Sequence, residues 1–235
     1  MKNKSKTVSV IIPAFNEAAQ ISETVTAVKA IPEVTQIVVV DDASSDETST
    51  LAAKAGAEVV KLPANSGKGT AVNTGISVAT GDVLLLLDAD LGKSATYARD
   101  LVLPVLRGES DMTVACFPSP KKKGGFGLVR GLARSGIRYF TGLEMKAPLS
   151  GQRALSRDVL EVVKPFAGGF GVEVALTVKA VRKGFRVSEI AVPMRHRETG
   201  RDLKGFLHRG RQFRDVALTL TRLYFQCRRP DRVTG

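Results

Sequence analysis

Tryptophan is absent from the 235-residue sequence, cysteine occurs only twice, and long hydrophobic runs are missing. The two cysteines, Cys116 and Cys227, lack CxxC spacing and are too few for a disulfide-rich fold, which favours a reducing compartment. The longest uninterrupted apolar run, Val83 to Leu87, is far shorter than the ~18 residues of a membrane-spanning helix. No apolar stretch typical of a signal peptide follows the basic segment 1–7. These absences predict a globular protein of the cytoplasm.

Negative charge is scarce in the second part of the chain. Residues 1–100 carry 9 Lys or Arg and 12 Asp or Glu, whereas residues 101–235 carry 26 and 11. The formal net charge of +12 therefore comes entirely from the second part. A strongly basic surface indicates an anionic partner, and phosphate groups, nucleic acid and a membrane surface all fit that description.

Short apolar runs alternate with helical patterns in the first part of the chain. Strands are predicted at 8–12, 36–40, 57–61 and 83–87, and helices at 17–30, from Ser44 or Ser45 onwards, and at 67–79. Strand, helix and strand at this spacing predict right-handed βαβ units and a mostly parallel central sheet. Because the strands are continuously apolar, helices are expected on both faces of this α/β sheet.

The second part of the chain is less regular. Its predicted elements are strands at 111–117 and 186–192, a loop at 118–125, a turn at 150–153, and helices at 127–140, 172–182 and 202–229. No internal repeat or linker separates domains. We therefore predict one domain over residues 1–235, with a ligand-binding half at 1–116, an irregular half at 117–202 and a basic amphipathic helix at 203–229.

Polar residues follow each of the first four predicted strands. The segments are Pro13-Ala14-Phe15-Asn16-Glu17, Asp41-Asp42-Ala43-Ser44-Ser45-Asp46, Asn65-Ser66-Gly67-Lys68-Gly69 and Asp88-Ala89-Asp90. Ligands of open α/β sheets bind beyond the carboxyl ends of the strands. Each segment alone fits an ordinary helix cap or turn. Their occurrence at four successive strand ends indicates a shared binding site.

Asp88-Ala89-Asp90 is the sharpest of these signals. The most apolar strand brings two carboxylates to one place, and Mg²⁺ or Mn²⁺ prefers such oxygen ligands and shares them with phosphates. The alternative is a pair of solvated turn aspartates. Lys68, at the start of a helix between two glycines, fits a phosphate or carboxylate partner. The segment is not a Walker A loop, and Pro13 occupies the place of a glycine-rich dinucleotide signature.

The four segments, in this order, resemble family 2 glycosyltransferases of the GT-A fold. The resemblance implies a nucleotide-sugar donor, with a UDP-sugar favoured and GDP-mannose as the alternative. It also implies that Asp88, Ala89 and Asp90 hold the ribose and a metal-bound diphosphate, with support from Lys68. The residues implied to line the nucleoside pocket are Pro13, Ala14, Phe15, Asn16, Glu17 and Asp42.

Segments of the second part are similar to glucosyl-3-phosphoglycerate synthases and, in part, to dolichol- or polyprenyl-phosphate sugar transferases. The segments are 147–152, 165–167, 171–174 and 195–197. The resemblance implies that His196 joins Asp90 on the divalent cation. It also implies that Glu173 acts on the acceptor, as a base or by orienting it, in a site shared with Ser150, Gly151 and Gln152. Arg195, Arg197 and Arg201 are close enough in sequence to stabilise the leaving group, or they form a solvated basic surface.

Two differences from these families limit the prediction. Val174 stands where many inverting members carry Asp, and Gly127 and Val129 stand where phosphoglycerate synthases are expected to carry Arg and Thr. The stereochemical outcome and the acceptor are therefore left open. The acceptor is expected to be anionic, and either small or lipid-linked.

Residues 203–229 interleave aromatic and basic side chains, which fits contact with a membrane interface, a homodimer contact or packing on the sheet. No nucleic-acid partner is expected for a transferase of this kind. Two other functions stay open at this point. A sugar nucleotidyltransferase would need a glycine-rich, arginine-containing loop after the first strand, where Pro13 lies. A non-catalytic basic module would leave Asp88 and Asp90 without a role.

Overall fold

The computed structural model describes residues 6–118, 127–166, 171–195 and 203–228, without the side chains of 203–209, 211, 227 and 228. The predicted ligand His196, together with Arg197 and Arg201, lies outside the described residues. The strands are β1 (Val8–Ala14), β2 (Val34–Asp41), β3 (Glu58–Lys61), β4 (Val83–Leu86), β5 (Met112–Cys116), β6 (Arg153–Ser156) and β7 (Val187–Ala191). The α-helices are α1 (Ile21–Lys29), α2 (Thr48–Ala55), α3 (Lys68–Val78), α4 (Arg99–Leu106), α5 (Gly127–Thr141), α6 (Arg157–Val163), α7 (Val172–Arg182) and α8 (Leu203–Arg228), and a 3-10 helix spans Gly92–Ala98.

The seven strands form one sheet in the order β3-β2-β1-β4-β6-β5-β7. Strands β1 to β4 pair in parallel, as do β5 and β7, while β6 is antiparallel to both of its neighbours. The α/β class and the mostly parallel sheet predicted from the alternating pattern are confirmed. Because β6 pairs with β4 and with β5, both halves of the chain contribute to one sheet. The single domain over residues 1–235 stays a prediction.

Both faces of the sheet are buried, as the continuously apolar strands predicted. Val8, Val10 and Ile12 of β1 point to a core shared with α1, the 3-10 helix and α4. Ile11, between them in the sequence, points to the opposite core, which α3, α6 and α7 cover. This alternation follows from the two-residue repeat of a strand, whose successive side chains face opposite sides.

Helices α5, α7 and α8 form a further layer against β5. Their apolar residues meet in one cluster around Val114, including Ile137, Val178 and Val216. The packing of α5 on α8 is close enough that a Cβ at Gly136 would lie 2.3 Å from a methyl carbon of Leu220. In the described ranges, none of the helices has the length and hydropathy that crossing a membrane requires.

Several local predictions were wrong. The predicted turn at 150–153 ends in a strand, because Arg153 begins β6 and pairs with Leu86 and Val114. Helices α4 and α6 and the 3-10 helix were missed. Ser44 and Ser45 do not cap α2, which begins at Thr48 without a side-chain cap. The hydroxyls of both serines bond Asn16 instead, so they join two loops rather than begin a helix.

Candidate active site

The loops that follow β1 and β2 are bound to each other at the carboxyl edge of the sheet. The backbone N–H of Asn16 donates to Oγ of Ser44 (2.9 Å), and Oδ1 of Asn16 accepts from the N–H of Ser45 (2.9 Å). Asn16 and Ala43 both have positive φ, 56° and 62°. Non-glycine residues adopt this conformation at a cost, and such strain concentrates at functional sites. The cross-linked loops therefore form a pre-organised rim beside Pro13, Ala14 and Phe15.

Asp42 connects this rim to the loop before α3. Its backbone N–H donates to the carbonyl of Ala14 (2.8 Å), and its buried carboxylate accepts from the N–H groups of Ser66 (2.7 Å) and Gly67 (2.8 Å). Charge-assisted bonds of this kind are stronger than neutral ones. Asp42 therefore fixes the position from which Lys68 starts its helix.

Lys68, Asp88 and Gln152 meet in the middle of the sheet edge. Nζ of Lys68 lies 2.5 Å from Oδ1 of Asp88, and Nε2 of Gln152 donates to Oδ2 of Asp88 at 2.5 Å. A Cβ at Gly151 would lie 2.9 Å from Nζ of Lys68, so a residue without a side chain leaves room for this contact. The structure thus brings the predicted acceptor segment, 150–152, to the predicted donor residues.

The turn that carries Asp90 is fixed by a buried threonine of α1. The hydroxyl of Thr24 donates to the carbonyl of Ala89 (2.8 Å) and accepts from the N–H of Gly92 (2.8 Å). Four residues beyond Asp90, Oγ of Ser94 accepts from the N–H of Arg195 (3.2 Å) and donates to its carbonyl (3.3 Å). The main chain of Arg195 is therefore bound just after the Asp88-Ala89-Asp90 turn.

Glu173 lies in the first turn of α7, partly buried, near two cations. Burial raises the pKa of Glu173, and the positive charges of Lys68 and Arg153 oppose this shift. Burial also works to lower the pKa of Lys68, but the negative charges of Asp88, Glu173 and Asp90 outweigh it and leave that pKa raised. The carboxylates of Asp88 and Asp90, in the predicted donor segment, and of Glu173, on the predicted acceptor side, therefore all act on the charge of Lys68.

Arg153 is 1% exposed and holds the acceptor segment against α7. Its guanidinium donates to the carbonyls of Ser150 (2.8 Å) and Pro148 (3.3 Å) and to Oγ1 of Thr177 (2.8 Å). The hydroxyl of Thr177 in turn donates to the carbonyl of Glu173 (2.9 Å). Burial lowers the pKa of Arg153 to about 10. Its charge and its hydrogen bonds both act on the turn that carries Glu173.

The two carboxylates of the Asp88-Ala89-Asp90 turn are oxygen donors of the kind that a hard divalent cation accepts. The oxygens of Asp88 are bonded to Lys68 and Gln152, and Asp90 supplies the second carboxylate of the same turn. Carboxylate oxygens are the ligands that Mg²⁺ and Mn²⁺ prefer. Within the described ranges, no group of three His, Cys, Asp or Glu side chains forms a complete metal site. The predicted partner of Asp90, His196, lies outside those ranges.

Three residues with clear positions at this site were missed by the sequence analysis. Thr24 gave the ordinary signal of a helix residue, and Arg153 was assigned to a turn. Glu189 of β7 accepts from the N–H groups of Lys146 (2.7 Å) and Ala147 (2.6 Å), which holds the start of the acceptor segment. Each of the three residues makes at least one contact with a residue more than 20 positions away, and spacing along the chain carries no signal for such contacts.

The sequence profile of Glycosyl transferase family 2 matches residues 9–163. The matched region contains all four strand-end segments that form the site. The chain belongs to glycosyl transferase family 2. This confirms the resemblance, and the sheet and its helices agree with solved GT-A structures.

Glucosyl-3-phosphoglycerate synthase of Mycobacterium tuberculosis (strain ATCC 25618 / H37Rv) is 30% identical over 197 residues, which cover 74% of this chain and 60% of the relative. Glycosyltransferase AglD of Haloferax volcanii is 29% identical over 206 residues, 79% of this chain and 32% of the relative. The crystal structure of the M. tuberculosis synthase with Mn²⁺, UDP-glucose and phosphoglyceric acid superposes with a TM-score of 0.78 at 28% identity, covering 98% of this chain and 82% of that one. The chain thus spans about 60% of the length of the curated synthases that it matches.

Proposed function

We propose that this protein transfers a sugar from a UDP-sugar to an anionic acceptor with the help of a divalent cation. The observation that carries the proposal is the contact of Lys68 and Gln152 with Asp88, which joins the donor and acceptor segments at the carboxyl edge of the sheet. Membership of the family supports sugar transfer. The UDP and Mn²⁺ or Mg²⁺ in the solved synthase complexes support the choice of donor and ion.

The donor would lie along the rim built by the first three strand-end loops. In this arrangement the nucleoside contacts the segment Pro13 to Glu17 and Asp42, and the diphosphate lies towards Asp88 and Asp90. Lys68 supplies a positive charge beside that diphosphate. Asp42 keeps the loop before α3 in place through its bonds to Ser66 and Gly67.

Asp90 and His196 would hold the divalent cation. The ion would neutralise the negative charge that develops on the diphosphate as the bond to the sugar breaks. The main chain of Arg195, which precedes His196 in the sequence, is bound at Ser94, four residues beyond Asp90. The cationic side chains of Arg195, Arg197 and Arg201 are proposed to assist the leaving group.

Glu173 would orient an acceptor hydroxyl or remove its proton. Burial raises the pKa of Glu173, which favours proton uptake by its carboxylate, and the charges of Lys68 and Arg153 oppose that shift. An acceptor phosphate would need no base. We propose an anionic acceptor without naming the compound, because Gly127 and Val129 occur where a phosphoglycerate-binding Arg and Thr would be expected.

The direct test measures binding and turnover with a panel of UDP- and GDP-sugars, with Mn²⁺ or with EDTA. We expect Mn²⁺-dependent binding of UDP and release of free UDP in the presence of an anionic acceptor. Asp90→Ala should abolish the metal-dependent part of binding. The matched control is Asp100→Ala, which removes one exposed aspartate in the first turn of α4.

Two other outcomes would contradict the proposal. Exchange of pyrophosphate into a nucleotide sugar, without release of UDP, would indicate a nucleotidyltransferase. Binding of polyanions that Asp90→Ala leaves unchanged, without any nucleotide binding, would indicate a non-catalytic basic module. Preference for GDP over UDP would keep the transferase but replace the proposed donor by GDP-mannose.

The remaining proposals concern the cellular location of the protein and its binding partners. We propose a cytoplasmic location, because the sequence has only two cysteines and they lack CxxC spacing, and a homodimer or membrane contact for residues 203–229. Within the described residues, α8 exposes Phe213 (45%), Leu218 (48%) and Phe225 (63%), so its surface is partly apolar. Sedimentation velocity with and without lipid vesicles separates a dimer from a membrane contact.

A further inference from the structure

Helix α5 presents basic and apolar residues on the half of its circumference outside its packed face. Val129, Ala133 and Ile137 are buried against the sheet layer. The remaining half carries arginines and two large apolar residues that are all exposed: Leu128, Arg130, Arg134, Arg138 and Tyr139. Such a division of one helix between a packed face and a mixed basic and apolar face is not needed for folding. It indicates a surface with a partner.

The exposed residues form two neighbouring stripes along the helix. Arg130, Arg134 and Arg138 recur every four residues and so lie on one side. Leu128 and Tyr139 are separated by three turns, about 16 Å, and lie on the other side. Leu128 is 80% exposed and Tyr139 72% exposed. This face, defined by Leu128, the three arginines and Tyr139, is called the α5 face below.

The α5 face carries a net positive charge, because Glu144 offsets only one of its three arginines. Arg138 lies 3.1 Å from Glu144, but this ion pair is exposed, and exposed pairs contribute little. In the part of the chain that the structure describes, neither Arg130 nor Arg134 forms a salt bridge. A cavity of about 330 Å³ opens beside the arginines, lined by Gly131, Arg134, Ser135, Arg138, Glu144 and Met145. Its size suits a phosphate-bearing headgroup.

We propose that the α5 face binds the surface of a bilayer that contains anionic phospholipids. The three arginines contact lipid phosphates, one of them in the cavity beside Arg134 and Arg138. Leu128 and Tyr139 enter the boundary between headgroups and acyl chains. Apolar side chains next to a basic stripe are the combination that such binding requires.

Charge favours this partner over a second copy of the chain. A two-fold contact through the α5 face would collect the arginines of both copies in one interface, and like charges repel. The bilayer instead supplies the opposite charge and an apolar layer at the same surface. The proposal does not depend on the donor, the cation or the acceptor named above.

The test is co-sedimentation of the full chain with vesicles of phosphatidylcholine alone or with 30% phosphatidylglycerol, in ~0.1 M salt. We expect binding to the anionic vesicles and not to the neutral ones. Replacing two arginines, Arg134→Gln with Arg138→Gln, should lower the partition coefficient roughly 25-fold, because each cation near the surface contributes about fivefold. Leu128→Ser with Tyr139→Ser should also lower it at least about tenfold.

Two controls locate the effect. Lys29→Gln with Lys54→Gln removes the same charge from exposed positions on α1 and α2 and should change the partition coefficient less than about twofold. Phe213→Ser with Phe225→Ser removes exposed aromatics of α8 and should leave binding in place. UDP binding and circular dichroism of every variant report whether it is folded.

Four results would overturn the proposal. They are equal binding to neutral and anionic vesicles, equal losses in the lysine control and the arginine variant, loss of binding only in the α8 variant, and a dimer in sedimentation velocity that Leu128→Ser dissociates. The last result would assign the α5 face to an interface between copies. None of these results bears on sugar transfer, so the two proposals fail separately.

Discussion

At the residue scale, Glu173 is the group whose environment most directly sets the pH dependence of the protein. Burial raises its pKa above the value of 4.5 for a free glutamate, so the folded state holds the proton more tightly than the unfolded chain does. Ionised Glu173 therefore lowers the free energy of unfolding at a pH above its folded pKa. This destabilisation disappears as the pH falls below the pKa that Glu173 has in the unfolded chain.

Glu173→Gln should accordingly melt at a higher temperature than the original protein at pH 8 and at the same temperature at pH 4. Turnover should fall about 100-fold or more if Glu173 acts on the acceptor proton. Thermal unfolding between pH 4 and 8 measures the first effect, with exposed Glu109→Gln as control. A difference in melting temperature that is constant over this range would contradict the assigned burial.

Arg153 illustrates how a buried charge stabilises a site without contacting a ligand. Arg153→Met removes three hydrogen bonds and leaves the carbonyls of Pro148 and Ser150 buried without their donor. We expect the free energy of unfolding to fall by about 3 kcal/mol. Urea denaturation measures this loss, and the exposed Arg107→Met should change stability by less than about 0.5 kcal/mol. Equal effects of the two substitutions would show that Arg153 is not held as described.

At the scale of elements, the contact between α5 and α8 depends on one glycine. A Cβ at Gly136 would lie 2.3 Å from Leu220, whereas no atom lies within 4 Å of a Cβ at Gly131 on the other side of the same helix. Gly136→Ala should therefore destabilise the protein by about 1–3 kcal/mol. Gly131→Ala should stabilise it by about 0.5–1 kcal/mol, because glycine is unfavourable inside a helix. Denaturant unfolding of both variants tests the pair, and a loss of stability at Gly131 would contradict the assigned faces.

The elements also show what the sequence could predict. Helix α7 was predicted at its observed bounds, 172–182, because its apolar spacing is regular and glycines precede it in the sequence. Helix α4 was missed although Leu101, Val102 and Val105 have helical spacing, because Pro104 interrupts the pattern. Strand β6 has four residues and owes its place to pairing with β4 and β5. Its partners are distant in sequence, and short strands of this kind have little local signal.

At the scale of the whole molecule, nucleotide binding should appear as a gain in stability. A ligand at 100 times its dissociation constant stabilises the folded state by about 2.7 kcal/mol, which raises the melting temperature of a chain this long by roughly 5–10 °C. We expect this shift for UDP with Mn²⁺ and its loss after addition of EDTA. Differential scanning fluorimetry measures both. The same shift with EDTA present would contradict a role for the cation in holding the diphosphate.

The candidate site was predictable as far as it depends on strand ends. The positions of Asp42, Lys68 and Asp88 follow from the rule that ligands bind beyond the carboxyl ends of parallel strands. Gln152 was placed only by resemblance, because it reaches Asp88 across 64 residues through the antiparallel strand that follows it. The role of His196 stays a prediction. Asparagine adopts positive φ more often than most residues, so Asn16 gave a weak signal, whereas Ala43 gave none, since alanine rarely adopts that conformation.

The order β4-β6-β5 restricts how the molecule can be recombined. A cut near residue 116 separates β4 from β6, its antiparallel neighbour, and leaves the Val83–Leu86 edge open to pairing with other chains. A hybrid that takes its second part from a relative must restore the register from Val83 opposite Ser156 to Leu86 opposite Arg153. Gln152 and Arg153 would be exchanged together with that strand. Acceptor preference is therefore hard to exchange by domain shuffling, because the exchanged segment always includes a strand of the sheet that supports Asp88.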